Sequence, residues 1–437
     1  MPGALLTDLY ELNMAASYLR RGMDASATFS LYARSLPAER GFLVAAGLET
    51  CLDFLESLSF GEDELAYLGS IDFDDDALQA FRELRFTGDV WAVPEGTIVF
   101  ANEPILEVTA PIAAAQLVET FLLNQITVHT TLASKAARYR LAAGDRSLVD
   151  FAFRRTQGIE AAMAVTRASA IVGFAATSNV EAARRLELTP SGTMAHSYIE
   201  AFGSEAEAFR AFAEDFPGRT TFLVDTYDTI GGVRTAIDTI RSMGLTGPLG
   251  VRLDSGDLDG LSRGARALLD EAGMRAVRIF ASGGLDEEDV ERLVQGGAPI
   301  DAFGIGTQMG VSYDAPCLES VYKLVRYDGR PVVKLSVGKQ TLPGEKQVFR
   351  GPAGDVIGLR DEKLPGERLL EPVMRGGDRS SPPEPLVHMR ERFEGALSWL
   401  PEPARRIEAP IARVARVSDA LSALAEEAKA AALHRTT

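Results

Sequence analysis

The segment Arg252-Leu253-Asp254-Ser255-Gly256-Asp257 places two carboxylates three residues apart, directly after a short apolar run. Side chains alternate along a strand, so Arg252 and Asp254 should point the same way. Carboxylates bind sugar hydroxyls or Mg²⁺, and arginines bind anions. We therefore predict that Asp254 holds sugar hydroxyls and that Asp257 either holds Mg²⁺ through water or caps a helix. A solvated loop is the alternative interpretation.

A second polar segment, Ser191-Gly192-Thr193-Met194-Ala195-His196-Ser197, contains one of only four histidines. The small residues before His196 should leave its imidazole open at the end of a strand. Asp225 or Asp228, after the next apolar run, could accept a ring N–H and raise the nucleophilicity of the other nitrogen. This arrangement is the one that a phosphoryl-accepting histidine needs, while a structural histidine is the alternative.

Two glycine-containing turns have the composition of phosphate-binding loops. They are Ser282-Gly283-Gly284 and Gly304-Ile305-Gly306-Thr307, and each precedes a predicted helix. The N–H groups at a helix N-terminus favour an anion, and glycine lets the backbone approach it closely. Either turn alone could be an ordinary tight turn. Together, after the last two predicted strands, they match the usual phosphate site of an α/β barrel.

A repeated βα pattern that begins near residue 145 should position these residues. Short β-branched or aromatic runs alternate with helical stretches. The runs end near Phe151, Phe174 and Met194, and continue with Phe222-Leu223-Val224, Val251-Arg252-Leu253, Ile279-Phe280 and Phe303-Gly304-Ile305. The last four are roughly 25 to 30 residues apart, as expected for a strand, a helix and two short loops. We predict an irregular α/β barrel of about seven βα units, with a doubly wound open sheet as the alternative.

The two chain ends lack this repeat and have mixed helix and strand patterns. Residues 5–20 predict a helix, and β patterns occupy 27–32, 88–109, 321–327, 332–335 and 347–350. We predict one flanking α/β sandwich domain built from both ends, so that 1–130 and 315–437 surround a barrel domain at 131–314. Residues 364–385 are rich in proline and glycine and predict an extended surface connection. Residues 419–434 predict a surface helix.

Composition limits the classes of function. The 437 residues carry a formal net charge of -17, which argues against a nucleic-acid backbone or an anionic membrane as partner. The two cysteines, Cys51 and Cys317, cannot form a disulfide framework, and no run of 18 apolar residues is present. The N-terminus lacks a basic stretch before an apolar one, so we expect no secretory signal and a cytoplasmic location.

Seven collinear motifs resemble those of the nicotinate phosphoribosyltransferase family, over nearly the whole chain from Leu5 to about Arg350. The motifs are Leu6-Thr7-Asp8-Leu9-Tyr10, Thr87-Gly88-Asp89-Val90 with Pro94-Glu95-Gly96-Thr97, Arg154-Arg155-Thr156-Gln157-Gly158, Gly192-Thr193-Met194-Ala195-His196-Ser197, Val224-Asp225-Thr226-Tyr227-Asp228, Val251-Arg252-Leu253-Asp254-Ser255-Gly256-Asp257 and Lys346-Gln347-Val348-Phe349-Arg350. Seven in order are far more specific than any one. The resemblance implies a barrel-type phosphoribosyltransferase whose active sites lie at a homodimer interface.

The resemblance also implies roles for individual residues. Tyr10 matches an aromatic residue that covers the pyridine ring of nicotinate from the neighbouring subunit, and Phe151 matches the ring on the other face. Thr193 and Arg252 match the nicotinate contacts, and His196 matches the histidine that ATP phosphorylates. The 5-phosphate cradle is matched by Ser282, Gly283, Gly284, Gly306 and Thr307. Looser candidates for the pyrophosphate side are Arg34, Lys135, Arg138, Arg154, Lys346 and Arg350, and Asp150 is a candidate supporting residue.

The reaction that the resemblance implies joins nicotinate to phosphoribosyl pyrophosphate at the anomeric carbon. Pyrophosphate leaves as Mg²⁺ and basic residues absorb its charge, and the pyridine nitrogen attacks from the opposite face. Asp225 would orient His196, Asp254 would hold the ribose, and ATP consumed through phospho-His196 would favour product formation. The product, nicotinate mononucleotide, belongs to NAD salvage.

Four rival functions make different predictions. A nicotinamide enzyme of the same fold would offer a carboxylate to the amide, yet the corresponding strand end is Thr177-Ser178-Asn179. Quinolinate enzymes are shorter and lack the histidine motif. A non-catalytic sugar-phosphate-binding barrel would have the phosphate loops and would lack the His196 and Asp225 pair. An aldolase-type barrel would need a lysine at a strand end, and none of the seven ends carries one.

Overall fold

In the computed structural model, which describes residues 3–336 and 341–434, the chain divides into two units. Unit 1 is built from the described residues of 1–134, 317–406 and 410–437, and unit 2 from 135–316 and 407–409. The domain boundaries predicted after residues 130 and 314 lie next to the ends of unit 2. None of the helices in the described ranges is both long and apolar enough to cross a membrane.

The helices and strands follow one another in three segments. The first segment contains α1 (Leu9–Arg20), β1 (Ser26–Ala33), β2 (Leu43–Val44), α2 (Leu48–Ser57), α3 (Glu62–Ser70), α4 (Asp75–Glu83), β3 (Asp89–Ala92), β4 (Ile98–Val99), β5 (Leu106–Pro111), α5 (Ile112–Leu117) and α6 (Glu119–Ala143). The second contains β6 (Ser147–Asp150), α7 (Ile159–Ile171), β7 (Ala176–Thr177), α8 (Val180–Arg185), α9 (His196–Glu200), α10 (Glu205–Asp215), β8 (Thr221–Leu223), α11 (Thr229–Met243), β9 (Gly250–Leu253), α12 (Leu258–Glu271), β10 (Arg278–Ala281), α13 (Glu287–Gln295), β11 (Ala302–Ile305) and α14 (Thr307–Gly310). The third contains β12 (Ser320–Tyr327), β13 (Arg330–Pro331), β14 (Lys346–Gly351), β15 (Gly354–Leu359), β16 (Glu367–Arg368), β17 (Glu371–Arg375), β18 (Asp378–Arg379), α15 (Leu386–Trp399), α16 (Glu402–Arg405), β19 (Arg416–Val417) and α17 (Asp419–His434).

Unit 1 is organised around a seven-stranded antiparallel sheet in the order β13-β12-β1-β5-β3-β17-β18. Strand β1, from the N-terminal segment, pairs with β12, from the C-terminal segment, in a register that joins Ala27 to Tyr327 and Ala33 to Ser320. Seven of the eight residues of β1 are buried, which agrees with a strand covered on both faces. A four-stranded sheet, β16-β14-β15-β19, completes the unit's larger sheets. The prediction of one sandwich built from both chain ends is confirmed.

Two predictions for the C-terminal segment are wrong. Residues 364–385 are not a mere surface connection, because β17 joins the seven-stranded sheet beside β3 and buries Met374. Prolines and glycines in this segment break it into short strands rather than excluding it from the sheet. The β pattern at 332–335 forms no strand, since β13 ends at Pro331. A turn at Asp328-Gly329 joins β12 to β13, and both residues have the positive φ that a tight hairpin turn requires.

Unit 2 contains a six-stranded parallel sheet in the order β7-β6-β11-β10-β9-β8. Helices follow the strands, as the repeated βα pattern predicted, and the central strands are almost wholly buried. The predicted third run, ending near Met194, is not a strand; it contributes one parallel bridge between Thr177 and Pro190. The irregular barrel-like α/β class is therefore confirmed with six strands, and the hydrogen bonding of the sheet does not close between β8 and the bridge at Pro190.

Candidate active site

The polar residues predicted as a site lie at one edge of the parallel sheet in unit 2. Neighbouring parallel strands end at the same edge, so the residues that follow β6, β8, β9 and β10 come together there. Phe151, Asp254 and Ser282 directly follow β6, β9 and β10, and Asp225 is the second residue after β8. Arg252 lies within β9, two residues before Asp254, and faces the same side of the sheet as the alternation rule predicted.

Arg252 is held by four neighbours in a nearly buried position. Its Nη2 donates to Asp254 Oδ1 at 2.6 Å, and its Nε donates to Ser282 Oγ at 2.9 Å. Its Nη1 donates to Thr193 Oγ1 at 3.2 Å and to the Met194 carbonyl at 3.4 Å. Only 12% of its side chain is exposed. A guanidinium fixed in this way presents its remaining N–H, on Nη2, and its positive charge in a fixed direction, which suits binding of a carboxylate or phosphate.

An aromatic wall lies beside this guanidinium. The centroid of the Phe151 ring is 5.5 Å from Arg252 Cζ and 5.6 Å from the centroid of the Phe280 ring. Gly304, in the adjacent strand β11, leaves the space that the Phe151 ring fills, because a Cβ at this position would lie 2.7 Å from Phe151 Cδ2. The sheet therefore brings together a flat apolar surface and a fixed positive charge, which can bind a planar aromatic anion.

Asp150 fixes the start of the loop that carries Phe151. Its buried carboxylate accepts hydrogen bonds from the Ala152 N–H at 2.9 Å, the Thr166 hydroxyl at 2.7 Å and the Thr177 hydroxyl at 2.8 Å. Burial raises the pKa of Asp150, although these hydrogen bonds oppose the shift. The carboxylate is fully engaged with its own protein neighbours, which fits the supporting role predicted for it.

His196 begins helix α9, and 41% of its side chain is exposed. Its Nδ1 lies 3.2 Å from Thr226 Oγ1, and its Nε2 lies 3.8 Å from Asp254 Oδ2. The predicted partners do not contact the ring: Asp225 Oδ2 instead accepts from the Asp254 N–H at 2.9 Å, and Asp228 caps helix α11. The sequence could not predict which of these side chains contacts the ring, because the path of the loop after Val224 decides it. That loop places Thr226, and neither Asp225 nor Asp228, beside the imidazole.

Asp225 thus supports the site through Asp254 rather than through the histidine. Its Oδ2 also accepts from the Ser255 hydroxyl at 2.7 Å, while its buried Oδ1 has no hydrogen-bond partner among the described residues. Glu205, at the start of α10, lies close enough to Asp225 for the two negative charges to repel each other. Burial, followed by the charges of Asp228 and Asp225, raises the pKa of Glu205 to about 6.

The two predicted phosphate loops follow β10 and β11. Gly283 and Gly284 have φ values of 107° and 75°, and a Cβ on Gly283 would lie 1.8 Å from the Asp254 carbonyl oxygen, so this turn requires glycine. Gly306 precedes α14, which begins at the exposed Thr307. The helix-dipole argument applies less well to the first loop, because Asp286 caps α13 with its own side chain. Backbone N–H groups of the glycine turn are the groups that remain for an anion there.

The basic residues predicted for the pyrophosphate side fall into three groups. In unit 2, the buried Lys135 and Arg138 form ion pairs with Glu287, both at 2.6 Å, and Lys135 also pairs with Asp314 at 2.9 Å. In unit 1, Arg34, Lys346 and Arg350 pair with Glu319, Glu107 and Asp355, respectively. Arg154 is exposed in a 3-10 turn of unit 2 and makes no ion pair within the described parts of the chain.

Tyr10, Asp257 and the metal prediction complete the predicted set. Tyr10 lies on α1 in unit 1, where 48% of it is exposed. Asp257 is exposed and precedes α12 without a capping hydrogen bond from its side chain, so the proposed helix cap is absent. Within residues 3–336 and 341–434, no group of three His, Cys, Asp or Glu side chains is arranged to hold a metal ion.

Sequence reasoning missed three contacts of the site: Thr226 with His196, Ser282 with Arg252, and Phe280 beside Phe151. The alternation rule could have found two of them. Phe280 and Ser282 are two residues apart on β10 and its end, so they share a face with Arg252 on the neighbouring strand. The contact with Thr226 depends on a loop and left no such signal.

Comparisons with known proteins show the family of the chain. The model of the nicotinate phosphoribosyltransferase (NAPRTase) N-terminal domain matches residues 5–127, and the model of the nicotinate phosphoribosyltransferase (NAPRTase) family matches residues 146–349. A nicotinate phosphoribosyltransferase of Mycobacterium tuberculosis is 48% identical over 91% of this chain and 86% of its own length. The Bacillus subtilis nicotinate phosphoribosyltransferase is 42% identical over 84% of this chain and 78% of its own length.

Two crystal structures have the same fold. Human nicotinic acid phosphoribosyltransferase superposes with a TM-score of 0.83 and 28% identity, covering 96% of this chain and 99% of the human chain. The nicotinate-nucleotide pyrophosphorylase of Pyrococcus furiosus gives a TM-score of 0.76 and 25% identity, covering 91% of this chain and 95% of its own.

Proposed function

Because the chain belongs to the nicotinate phosphoribosyltransferase family, we propose that it joins nicotinate to phosphoribosyl pyrophosphate and releases pyrophosphate, forming nicotinate mononucleotide for NAD salvage. The observation that carries this proposal is the Arg252 guanidinium beside the Phe151 ring. A pyridine ring fits an aromatic wall, and its carboxylate fits a fixed guanidinium. Thr193, already bound to Arg252, supplies a hydroxyl at the same place.

The neighbouring carboxylates favour nicotinate over nicotinamide. An amide would need an acceptor for its N–H groups, and Asp150 is the buried carboxylate next to the end of β7. Its oxygens already accept hydrogen bonds from Ala152, Thr166 and Thr177. Accepting from a ligand amide instead would break one of these bonds. A second nearby carboxylate, Asp254, is bound to Arg252. This arrangement supports a carboxylate-binding site.

The displacement itself needs positioning and charge more than proton transfer. The pyridine nitrogen of nicotinate carries no proton at neutral pH, so no general base is required for its attack on the anomeric carbon. We propose that Asp254 binds ribose hydroxyls through Oδ2, which Arg252 leaves free, and that the N–H groups at Gly283, Gly284 and Thr307 bind the 5-phosphate. Arg154, exposed and without an ion pair in the described ranges, is the basic residue best suited chemically to receive pyrophosphate.

We also propose that ATP phosphorylates His196. If Nδ1–H donates to Thr226, the lone pair is on Nε2, which is the nitrogen that accepts the phosphoryl group. The new bond joins Nε2 to the γ-phosphorus, the bond to the β–γ bridging oxygen breaks, and ADP leaves. Mg²⁺ would reach the site bound to the polyphosphate substrates, where it offsets their charge, and Asp257 is the exposed carboxylate that would hold it through water.

A homodimer with shared sites accounts for the exposed apolar side chains. Large apolar residues of unit 2 are exposed mainly in the segments that follow its strands, where Ile159 begins α7 and Val180 begins α8; the others are Phe153, Tyr227 and Tyr313. In unit 1, Leu6, Leu9 and Tyr10 are each about half exposed at the start of the chain. Exposed apolar side chains around the carboxyl edge of the sheet and on α1 are the kind of surface that a protein partner covers, and we propose a second copy of the chain that contributes Tyr10. The cytoplasmic location stays a prediction.

The test of this function compares nicotinate with nicotinamide, using labelled phosphoribosyl pyrophosphate with and without ATP. An ionic hydrogen bond contributes about 1.5 to 3 kcal/mol, so nicotinate should be used at least about tenfold more efficiently. Arg252→Lys should raise the KM for nicotinate more than that for phosphoribosyl pyrophosphate, because lysine lacks the fork. Arg263→Lys, an exposed arginine paired with Asp259 on α12, is the matched control. Equal rates with the two pyridines would overturn the proposal.

Subunit mixing tests the shared site. A Tyr10→Ala chain and an Arg252→Ala chain should each be inactive alone. If Tyr10 acts on the partner's site, the mixed dimer contains one site with both residues intact, and activity should return after subunit exchange. Verified exchange without recovery would show that Tyr10 does not serve the neighbouring site.

A further inference from the structure

The hydroxyl of Ser282 lies at the centre of the Arg252 network. It follows β10 directly, and Ser282 is only 2% exposed. Its Oγ accepts from Arg252 Nε at 2.9 Å and donates to Asp254 Oδ1. Both directions of its hydrogen-bonding capacity are therefore used within the protein.

This bonding limits what Ser282 can offer a ligand. A serine hydroxyl has one proton, and this proton is directed to a carboxylate that already binds Arg252. Donating to a phosphate oxygen instead would leave Asp254 with one fewer hydrogen bond in a site where its side chain is only 25% exposed. Burial works to raise the pKa of Asp254, but the hydrogen bonds from Ser282 and Arg252 outweigh it and lower the pKa. Because the Asp254 carboxylate is ionised, the Ser282 hydroxyl donates its proton to Asp254 and not to a ligand.

The backbone holds Ser282 in this place independently of its side chain. The Ser282 N–H donates to the Leu253 carbonyl at 2.9 Å, and the next residue, Gly283, packs against the Asp254 carbonyl so closely that no Cβ fits. The hydroxyl is therefore presented to the Arg252–Asp254 pair by the sheet itself. Removing it should leave the fold intact while leaving Arg252 Nε without an acceptor.

We propose that Ser282 is a positioning residue for nicotinate specificity that acts through Arg252, and that its hydroxyl does not bind the 5-phosphate. This inference rests on the proposed role of Arg252. Nε is bound to Ser282, and Nη1 is bound to Thr193 and the Met194 carbonyl, so the N–H left for a ligand is the second one on Nη2, in a fixed orientation. Without the Ser282 hydroxyl, the guanidinium can rotate, and this fixed orientation is lost for part of the time.

Steady-state kinetics of Ser282→Ala separate the two roles. We expect the KM for nicotinate to rise about tenfold, the preference for nicotinate over nicotinamide to fall by a similar factor, and the KM for phosphoribosyl pyrophosphate to change less than twofold. The matched control is Ser262→Ala, a buried serine of α12 that donates to the Asp259 carbonyl away from the site. It should leave all three quantities unchanged. A KM for phosphoribosyl pyrophosphate that rises as much as that for nicotinate, or an unchanged nicotinate KM, overturns the inference.

Combining the variants distinguishes this inference from the proposed function. If Ser282 acts through Arg252, adding Ser282→Ala to Arg252→Lys should change the nicotinate KM by less than twofold, because the geometry is already lost. Independent, multiplying effects would contradict the inference. If the wild-type protein shows no preference for nicotinate, the proposed function itself fails. If the preference exists and depends on Arg252 but not on Ser282, only the inference fails.

Discussion

Replacing Glu287 with glutamine tests the buried ion cluster of unit 2, formed by Lys135, Arg138, Glu287 and Asp314. The side chains of Lys135, Arg138 and Glu287 are each no more than 5% exposed. Glu287 accepts from both cations, and their charges outweigh the effect of burial and lower its pKa. Glutamine keeps the shape and one acceptor but removes the charge that compensates two buried cations.

The expected cost follows from this geometry. Removing one partner of a buried ion pair destabilises a protein by about 3 to 5 kcal/mol. Lys135 retains Asp314 at 2.9 Å, so we expect a value near the lower end of that range, about 3 kcal/mol. With a urea dependence of about 2 to 3 kcal/mol per molar for a unit of this size, the midpoint of unfolding should fall by about 1 M.

The assay must report on unit 2. Both tryptophans, Trp91 and Trp399, belong to unit 1, so tryptophan fluorescence would miss the change. Amide hydrogen exchange in peptides covering residues 278–295, measured against urea, follows the correct region. Glu181→Gln is the matched control, because Glu181 also pairs with two arginines of the same unit but is exposed. It should change exchange little.

Equal effects of the two substitutions would refute the reasoning, because burial is the difference between them. The same experiment tests the prediction that Lys135 and Arg138 bind pyrophosphate. If they serve the substrate, releasing them from Glu287 should lower the KM for phosphoribosyl pyrophosphate. If they are structural, stability should fall and this KM should stay the same.

Three further predictions concern other contacts of unit 2. Because the pKa of Glu205 is raised to about 6, its charged form destabilises the folded state above that pH, so Glu205→Gln should raise the free energy of unfolding at pH 7.5 and have no such effect below pH 4.5. Solvent screening of this partly exposed group limits the gain to about 1 kcal/mol or less, and a gain that is independent of pH would contradict the reasoning. Gly304→Ala should displace the Phe151 ring, because the added methyl group would overlap it, and overpacking of this kind costs about 1 kcal/mol or more. The KM for nicotinate should then rise at least about fivefold in steady-state kinetics. An unchanged KM would exclude Phe151 from the ring site. Incubation with γ-labelled ATP should give an acid-labile phosphoprotein that is lost in His196→Ala and formed more slowly in Thr226→Val, whereas labelling that survives His196→Ala would assign the phosphoryl group to another residue.

The parallel sheet and its polar edge could be predicted from the sequence because both follow local rules. The alternation of side chains along a strand fixes which residues share a face, so the sequence alone was enough to place Arg252 and Asp254 together. The alternation rule could not show whether the predicted third strand, near Met194, forms at all. The run near Met194 contains glycine and proline, and only Pro190 forms a bridge.

The choice among charged residues could not be predicted in the same way. Lys346 and Glu107 are separated by 239 residues, and Lys135 and Glu287 by 152, yet each pair is buried. In the sequence, a basic residue whose acidic partner is distant in the chain therefore looks like a cation that is available to bind an anionic substrate. The partner of His196 was missed for a different reason: Asp225, Thr226 and Asp228 are too close in sequence for spacing to decide between them.

The pairing of β1 with β12 sets the order in which the newly made chain can fold. Strand β1 is complete at residue 33, but its partner begins at residue 320, after the main segment of unit 2 has been synthesised. At about 5 to 20 residues per second, the ribosome needs about 15 to 60 s to supply that partner. During this interval unit 2 can complete its parallel sheet, while one edge of β1 has only backbone groups without partners, the kind of edge that recruits other chains. Slowing translation between residues 111 and 320 should therefore lower the yield of folded protein more than slowing it after residue 379.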